Sequence, residues 1–330
     1  MLTPTNRAVL AGAALAASLI LLAGHVRAQE QKVWRHGVID PKGDAGFSFM
    51  VGQRDFAAKQ GLKVEIVPLK DGAVAHKALI AGDLQSIESF PGASIMAASR
   101  GADIRIIGCD WPALTHGLMV WDTIKTVADL KGKTVAVAAP GSLPGLVLDA
   151  ILDKYGVPRE QVKHAPLGGD PTRFKALTNH IVDAGIVVSE FLPLAPKGIS
   201  MLLPGHEALP TFVRNCVTTT GRTLKERPDD AVRFVAAEIT ALRYALAHRD
   251  ETIALTYKVT SAKKDDPRPA FAFDDTAKNK LIDTDLSVPF DKLESMRDSF
   301  IKAGTLKTTY DLHKITAPDI RAKALARVGG

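Results

Sequence analysis

Four short runs place glycine or proline with a capping side chain where a strand pattern gives way to a helix pattern. They are Asp71-Gly72-Ala73, Ser89-Phe90-Pro91-Gly92, Pro140-Gly141-Ser142-Leu143 and Asp170-Pro171. A helix start leaves backbone N–H groups without intrahelical partners, and the helix dipole makes them attractive to an anion or another acceptor. Asp or Ser at the cap and Pro in the first turn are also what any helix start requires. Each run alone is therefore an ordinary helix start; four in succession at strand ends point to binding. Trp111 stands just past a strand that ends near Cys109. Its indole either stacks on a flat solute or packs against its own lobe. His116 is a further polar candidate, with a structural role favoured. Arg105 and Arg214 offer forked contacts to a carboxylate or sulfonate, but both lie in strands, where alternation can turn them outward.

Signatures of bond-making chemistry are missing. "LKGKTV" resembles a phosphate loop, yet Val127 stands where that pattern needs glycine. Neither "PGSLPG" nor "GFSFM" has the order of a nucleophile elbow. The nine histidines form no metal-ligand pair, and two cysteines are too few for a structural zinc site. The expectation is a binding protein with no catalytic residue, no metal and no cofactor.

The elements that position these residues alternate. Strands are expected at Val33 to Ile39, Leu62 to Val67, Leu84 to Glu88 and Ile104 to Gly108. Helices at Phe47 to Gln60, Asp71 to Ala81 and Pro91 to Arg100 separate them. Such a series makes a parallel sheet covered on both faces. A second series follows: a strand at Leu118 to Trp121, strand Thr134 to Ala139 with a helix through Tyr155, strand Val162 to Leu167, a helix from Asp170 and strand Ile181 to Val188. After a strand at Phe212 to Thr219 the chain is mostly helical: Ala231 to Ala247, Thr252 to Lys258, Thr276 to Ile282, Phe290 to Ala303 and Ala317 to Ala326. The fold class is α/β with two lobes, two crossings near Met119 to Asp122 and Val213 to Thr219, and a helical C-terminal tail. Lobe 1 is expected at 29–119 and 217–330, lobe 2 at 120–216. Ligands of open α/β sheets bind beyond the strand carboxyl ends, so facing lobes gather helix starts around one cleft.

The chain has 330 residues, 46% hydrophobic and 24% charged, which suits a folded protein of about two domains. Aromatic residues make up only 6%, against a nucleic-acid stacking surface. Of the formal +6, Arg7 and Arg27 lie in the first 28 residues, which hold no acid. The remaining surplus is dispersed and suits small anions rather than nucleic acid. Arg7, the apolar run Ala8 to Gly24 and Val26-Arg27-Ala28 read as a secretory signal cleaved after Ala28. His25 stands where a lipoprotein signal needs cysteine. The mature protein is expected to be exported, free of lipid and monomeric. Pairing of Cys109 with Cys216 is not readable from sequence; two buried free thiols are the expectation.

"PLKDGAVAHKALIAGDLQSIESFPGASIMAASRGADIRIIG" from Pro68, "VADLKGKTVAVAAPGS" from Val127 and "ALTNHIVDAGIVVSEF" from Ala176 resemble the sulfonate, nitrate and taurine class of ABC-transporter solute-binding proteins. The resemblance spans roughly Val33 to Phe191. It implies a two-lobed periplasmic binding protein of the type II fold that captures a small solute by closing its lobes and delivers it to an inner-membrane permease. It implies binding loops at Gly72 and Ala73, Ser89 to Gly92 (Ser89, Phe90, Pro91, Gly92), Gly141 to Leu143 (Gly141, Ser142, Leu143), Asp170, Ser189 and Glu190. Gln85 and Phe191 depart from the family pattern, which bears on the substrate more than the fold. The solutes of the class include sulfonates, nitrate, aromatic carboxylates and pyrimidines. An alternative from the same fold is a pyrimidine-precursor-binding protein, or an enzyme of thiamine-pyrimidine or menaquinone synthesis; the cysteine-rich motif of the pyrimidine synthase is absent.

Overall fold

The computed structural model of the protein describes residues 32–139, 141–307 and 309–329. The expected secretory signal and Pro140 lie outside the described residues. Strands β1 (Lys32–Ile39), β2 (Leu62–Leu69), β3 (Ser86–Ser89), β4 (Arg105–Trp111) and β10 (Asn215–Thr219) form one sheet in the order β2-β1-β3-β10-β4. Strands β5 (His116–Trp121), β6 (Thr134–Val137), β7 (Lys163–Pro166), β8 (Ala184–Val188) and β9 (Ile199–Pro204) form the other, in the order β7-β6-β8-β5-β9.

The two sheets share a plan. In each, strands joined by helices pair in parallel, as β1 does with β3 and β6 with β7 and β8. Between the last of these and the edge strand lies one antiparallel strand: β10 between β3 and β4, β5 between β8 and β9. The sheets are thus mixed, not wholly parallel as expected. The physical reason is that β5 and β10 follow the crossings. No βαβ helix on their own sheet sets their direction. The chain crosses at 112–115 and again between β9 and β10, so β5 pairs in the second sheet from His116 onward.

The helices are α1 (Ala45–Phe49), α2 (Phe56–Lys59), α3 (Gly72–Ala81), α4 (Pro91–Ser99), α5 (Leu143–Lys154), α6 (Asp170–Thr178), α7 (Gly205–Ala208), α8 (Gly221–Glu226), α9 (Pro228–Ala247), α10 (Arg249–Thr260), α11 (Arg268–Asn279), α12 (Phe290–Lys302) and α13 (Pro318–Val328). α9 shows why the tail is helical. Pro228 opens it, Asp229 and Asp230 sit in its first turn, and Ala231, Phe234, Val235, Ile239 and Leu242 are buried along one face. The helix expected over Phe47 to Gln60 is broken instead. Gln53 is extended and Arg54 has a left-handed φ of 52°, after the 3-10 turn Met50–Gly52. The expected helix at Thr276 to Ile282 starts earlier, at Arg268, and stops where Lys280 turns left-handed.

The apolar core runs through the crossings. Leu114, Leu209, Phe212 and Val213 link Ile106 and Phe300 on the first-sheet side to Val147 and Leu148 of α5. A separate cluster packs Trp34, Phe47 and Trp111 against α9. Gly46 lies where α1 meets α10; a Cβ there would stand 2.1 Å from the Thr252 carbonyl oxygen. Cys109 of β4 and Cys216 of β10 form a disulfide, which corrects the expectation of free thiols. Neighbouring antiparallel strands bring them together, a pairing that 107 residues of separation conceal in the sequence.

Candidate functional site: a cleft between the sheets

The loop after β1 reaches from the first sheet to the second. Asp40, with a left-handed φ of 46°, ends β1 and turns the chain into Pro41-Lys42-Gly43-Asp44. Lys42 Nζ donates to Asp170 Oδ2 at 2.6 Å, and the Gly43 N–H donates to Glu190 Oε2 at 2.9 Å. Ser189 Oγ donates to Asp275 Oδ2 of α11 at 2.6 Å. Three contacts therefore tie the ends of the second-sheet strands to the β1 loop and to α11.

Asp170 is held from every side. Its carboxylate accepts from the Val188 N–H at 3.1 Å and from the Arg173 guanidinium, whose Nε donates to the Ile186 carbonyl at 2.7 Å. Burial opposes the charge, but Lys42, His116 and Arg173 hold this carboxyl well below the usual carboxylate range. His116 Nε2 lies 3.7 Å from Asp170 Oδ1, and burial pushes its pKa down to about 4, so the imidazole is neutral. Burial, aided by the Asp44 carboxylate, pushes Glu190 up to about 8 against the pull of Lys42. The shift favours the protonated carboxyl, which can donate its O–H.

A second polar group lies deeper in the first-sheet half. Arg214 pairs with Asp44 and lies over the Trp111 ring at 4.4 Å. Burial raises the Asp110 carboxyl to about 7. Burial, with Asp110 adding, raises Glu88; burial, with Glu88 and Asp110 adding, raises Glu238. Strand alternation leaves Arg214 free to face outward; it is instead buried, just before β10, by its pairing with Asp44 and its contact with the Trp111 ring.

Of the residues expected to bind, Asp170, Ser189 and Glu190 meet at the cross-cleft contacts. The others are placed differently. Asp71 caps its own helix, accepting from the Val74 N–H at 3.0 Å, with Gly72 and Ala73 in the turn beside it. Ser142 Oγ donates to the Ala139 carbonyl at 2.6 Å and accepts from the Gly145 N–H at 3.3 Å, between Gly141, whose φ is 72°, and Leu143. Ser89 Oγ lies 2.9 Å from Thr218 Oγ1. Phe90 meets Phe300 edge-on, with buried Pro91 and Gly92 beneath. Trp111 is 1% exposed and edge-on to Phe47, so its indole packs within its own half.

A cavity of about 440 Å³ opens beside the cross-cleft contacts. Its walls are Pro41, Lys42 and Gly43, Glu190, and the α10–α11 connection with Thr260 to Lys263, Asp266, Arg268 and Pro269. Sequence reasoning missed this connection. The available signal was "DDPRP", an acidic pair before prolines, which announces a helix start at Arg268. Among the described residues no group of His, Cys, Asp and Glu is placed to hold a metal ion, and no helix is long and apolar enough to cross a membrane.

A family model described as NMT1/THI5 like matches residues 47–252. Solved structures share the fold at low identity. The periplasmic aliphatic sulphonate binding protein SsuA from Escherichia coli has a TM-score of 0.70 at 19% identity, over 87% of this chain and 92% of that one. The periplasmic nitrate-binding protein NrtA from Synechocystis PCC 6803 has a TM-score of 0.73 at 14% identity, over 91% and 90%. The alkanesulfonate-binding SsuA from Xanthomonas axonopodis pv. citri, bound to MOPS, has a TM-score of 0.67 at 18% identity, over 89% and 98%. The chain thus has the periplasmic binding protein fold, with a helical C-terminal region.

Proposed function

The chain belongs to the NMT1/THI5-like family, and on that premise we propose that it is the exported, monomeric solute-binding component of an ABC importer. It captures a small organic anion between its two halves and hands it to a membrane permease. The carrying observation is the set of cross-cleft contacts, Lys42 to Asp170 and Gly43 to Glu190, with a cavity beside them walled by both halves. Hinge closure about a solute is the established behaviour of periplasmic binding proteins as a class. A closed form is favoured only by contacts that the open form lacks, and residues reaching from one half to the other supply them. The fold neighbours named for sulphonate and nitrate binding support the anion reading. The proposed solute contact is Glu190 on the cavity wall, with Asp170 and Ser189 beside it and the helix starts at Gly72, Phe90 and Gly141 as further candidates.

The test is thermal unfolding with a panel of sulfonates, carboxylates, nitrate and pyrimidines. A true solute at a hundredfold excess over its Kd stabilises by about 2.7 kcal/mol. No shift with any compound would sink the receptor reading. The match to an NMT1/THI5-like model keeps a second reading open, a pyrimidine-precursor-binding protein or enzyme of this fold. Release of a modified product from any panel compound would favour that one.

A further inference from the structure

We propose that the charge of the solute is read at the α10–α11 connection by Lys263 and Arg268, and that the solute is a monoanionic organic acid with an uncharged remainder. This rests on the receptor reading above and adds where the charge is recognised and how many charges it carries.

The argument is a charge count over the cavity wall. Lys42 is compensated by Asp170 at 2.6 Å, with Asp40 at 3.7 Å. Arg268 donates from Nε and Nη2 to Asp266, the latter at 2.6 Å. Its guanidinium lies 5.0 Å over the Phe191 ring, and among the described residues Nη1 makes no hydrogen bond. The Lys263 carbonyl accepts from the Asp266 N–H at 3.0 Å, but among the described residues its ammonium makes neither a hydrogen bond nor an ion pair. Once the two pairs cancel and burial holds Glu190 protonated, Lys263 is left as the uncompensated charge on the wall. One negative charge in the cavity balances it; a second would find no cation on the wall that is not already paired.

Donors match the same count. An anionic head between Lys263 and Arg268 Nη1 receives an ammonium and a planar N–H pair. Glu190 Oε2 already accepts the Gly43 N–H, so the protonated carboxyl directs its remaining O–H elsewhere. That is a donor for a second oxygen of the solute. Every titratable wall residue is then a donor or already paired. An ammonium solute would face Lys263 with no free carboxylate to receive it. Pro41, Ala262 and Pro269 supply apolar wall for the uncharged part, and the volume lies in the range of small-molecule pockets.

Isothermal titration of the mature protein with ethanesulfonate, benzoate and nitrate, and with ethylammonium and benzamide as charge controls, tests this. The expected result is binding of ethanesulfonate or benzoate and of neither control; binding of nitrate alone would overturn the organic-acid reading. Lys263→Glu should weaken that binding at least tenfold, Lys263→Arg should keep it within a few-fold, and Arg268→Gln should fall between. Lys263 is exposed, so an unchanged melting temperature without ligand certifies that the Glu variant is folded. Anion binding that Lys263→Glu and Arg268→Gln leave unaltered overturns the proposal while the receptor reading stands. Preference for ethylammonium or benzamide overturns it likewise. Failure of the wild-type protein to bind any of the five overturns it together with the receptor reading.

Discussion

Lys42 Nζ and Asp170 Oδ2 stand 2.6 Å apart, joining residues 128 positions distant in sequence and anchored in different sheets. The contact is charge-assisted and nearly dry on the Asp170 side, which is 2% exposed. The protein's own carboxylate thus occupies the lysine. Asp170 also satisfies Arg173 and the Val188 N–H of its own half, so losing Asp170 removes more than losing Lys42.

The inequality predicts an order of damage. Asp170→Ala leaves Arg173, 1% exposed, without its carboxylate and should cost about 3–5 kcal/mol. Lys42→Met removes a single charged hydrogen bond while Asp170 keeps Arg173, and should cost about 1.5–3 kcal/mol. Urea unfolding of the two variants checks this; a Lys42 variant less stable than the Asp170 variant would contradict it.

The buried carboxyls predict how stability follows pH. Asp110 titrates near 7 in the folded protein against an ordinary value of 3.8, so the folded state binds the proton more tightly. Stability from this group is full below about pH 4 and is lost as pH rises through about 7. His116, with its pKa lowered to about 4 from 6.5, works the other way, and its contribution is lost as pH falls from 6.5 towards 4. Asp110→Asn should therefore flatten the decline in melting temperature between pH 5.5 and 8. An unchanged slope would show that Asp110 does not titrate there.

Glu190 gives a binding counterpart. Its neighbours are Lys42 and Asp44 from the β1 loop, Asp170 from α6 and Arg268 from α11. Ionisation near pH 8 would set a carboxylate against an anionic solute, so affinity should fall between pH 7 and 9. Glu190→Gln keeps a donor and cannot ionise. Titrations of both proteins at pH 7 and 9 should show a pH-dependent Kd in the wild type alone.

The disulfide closes a loop that contains the whole second sheet. Closing so long a loop contributes about 2–4 kcal/mol, mainly by restricting the unfolded chain. The Cys109→Ala/Cys216→Ala double variant should lose that amount in urea unfolding. Reductant should lower the stability of the wild type but leave the double variant unmoved; a matching response in both would place the effect elsewhere.

Much of the architecture was legible because it is written in local period and punctuation. β8 is an unbroken apolar run, and α9 carries Pro228, two acids and an apolar stripe. What escaped depended on partners distant in sequence. The directions of β5 and β10 and the Cys109–Cys216 pairing are properties of strand order, which no local window contains. The burial of Arg214 depends likewise on Asp44 and Trp111. β9, "ISMLLP", lacks alternation and has no place among the expected strands. At the site, Asp170 was legible as a helix start after a strand, while Glu190 entered only through the family resemblance. Lys42 and Lys263 were not legible, since a lone lysine in a loop carries no signal until the fold shows what stands opposite. Asp71 and Ser142 were legible as helix caps, and capping is the role in which the structure shows them.

The interleaved strand order also has a consequence for the timing of assembly. A chain that emerges N-terminus first presents β1 to β4 before β10 exists, so the first sheet has a gap at its fourth position until residue 219 is out. Strands β5 to β9 are contiguous, from His116 to Pro204, and have all their pairing partners earlier. The half that arrives second is the one able to finish first, and the half that began the chain waits for its missing strand.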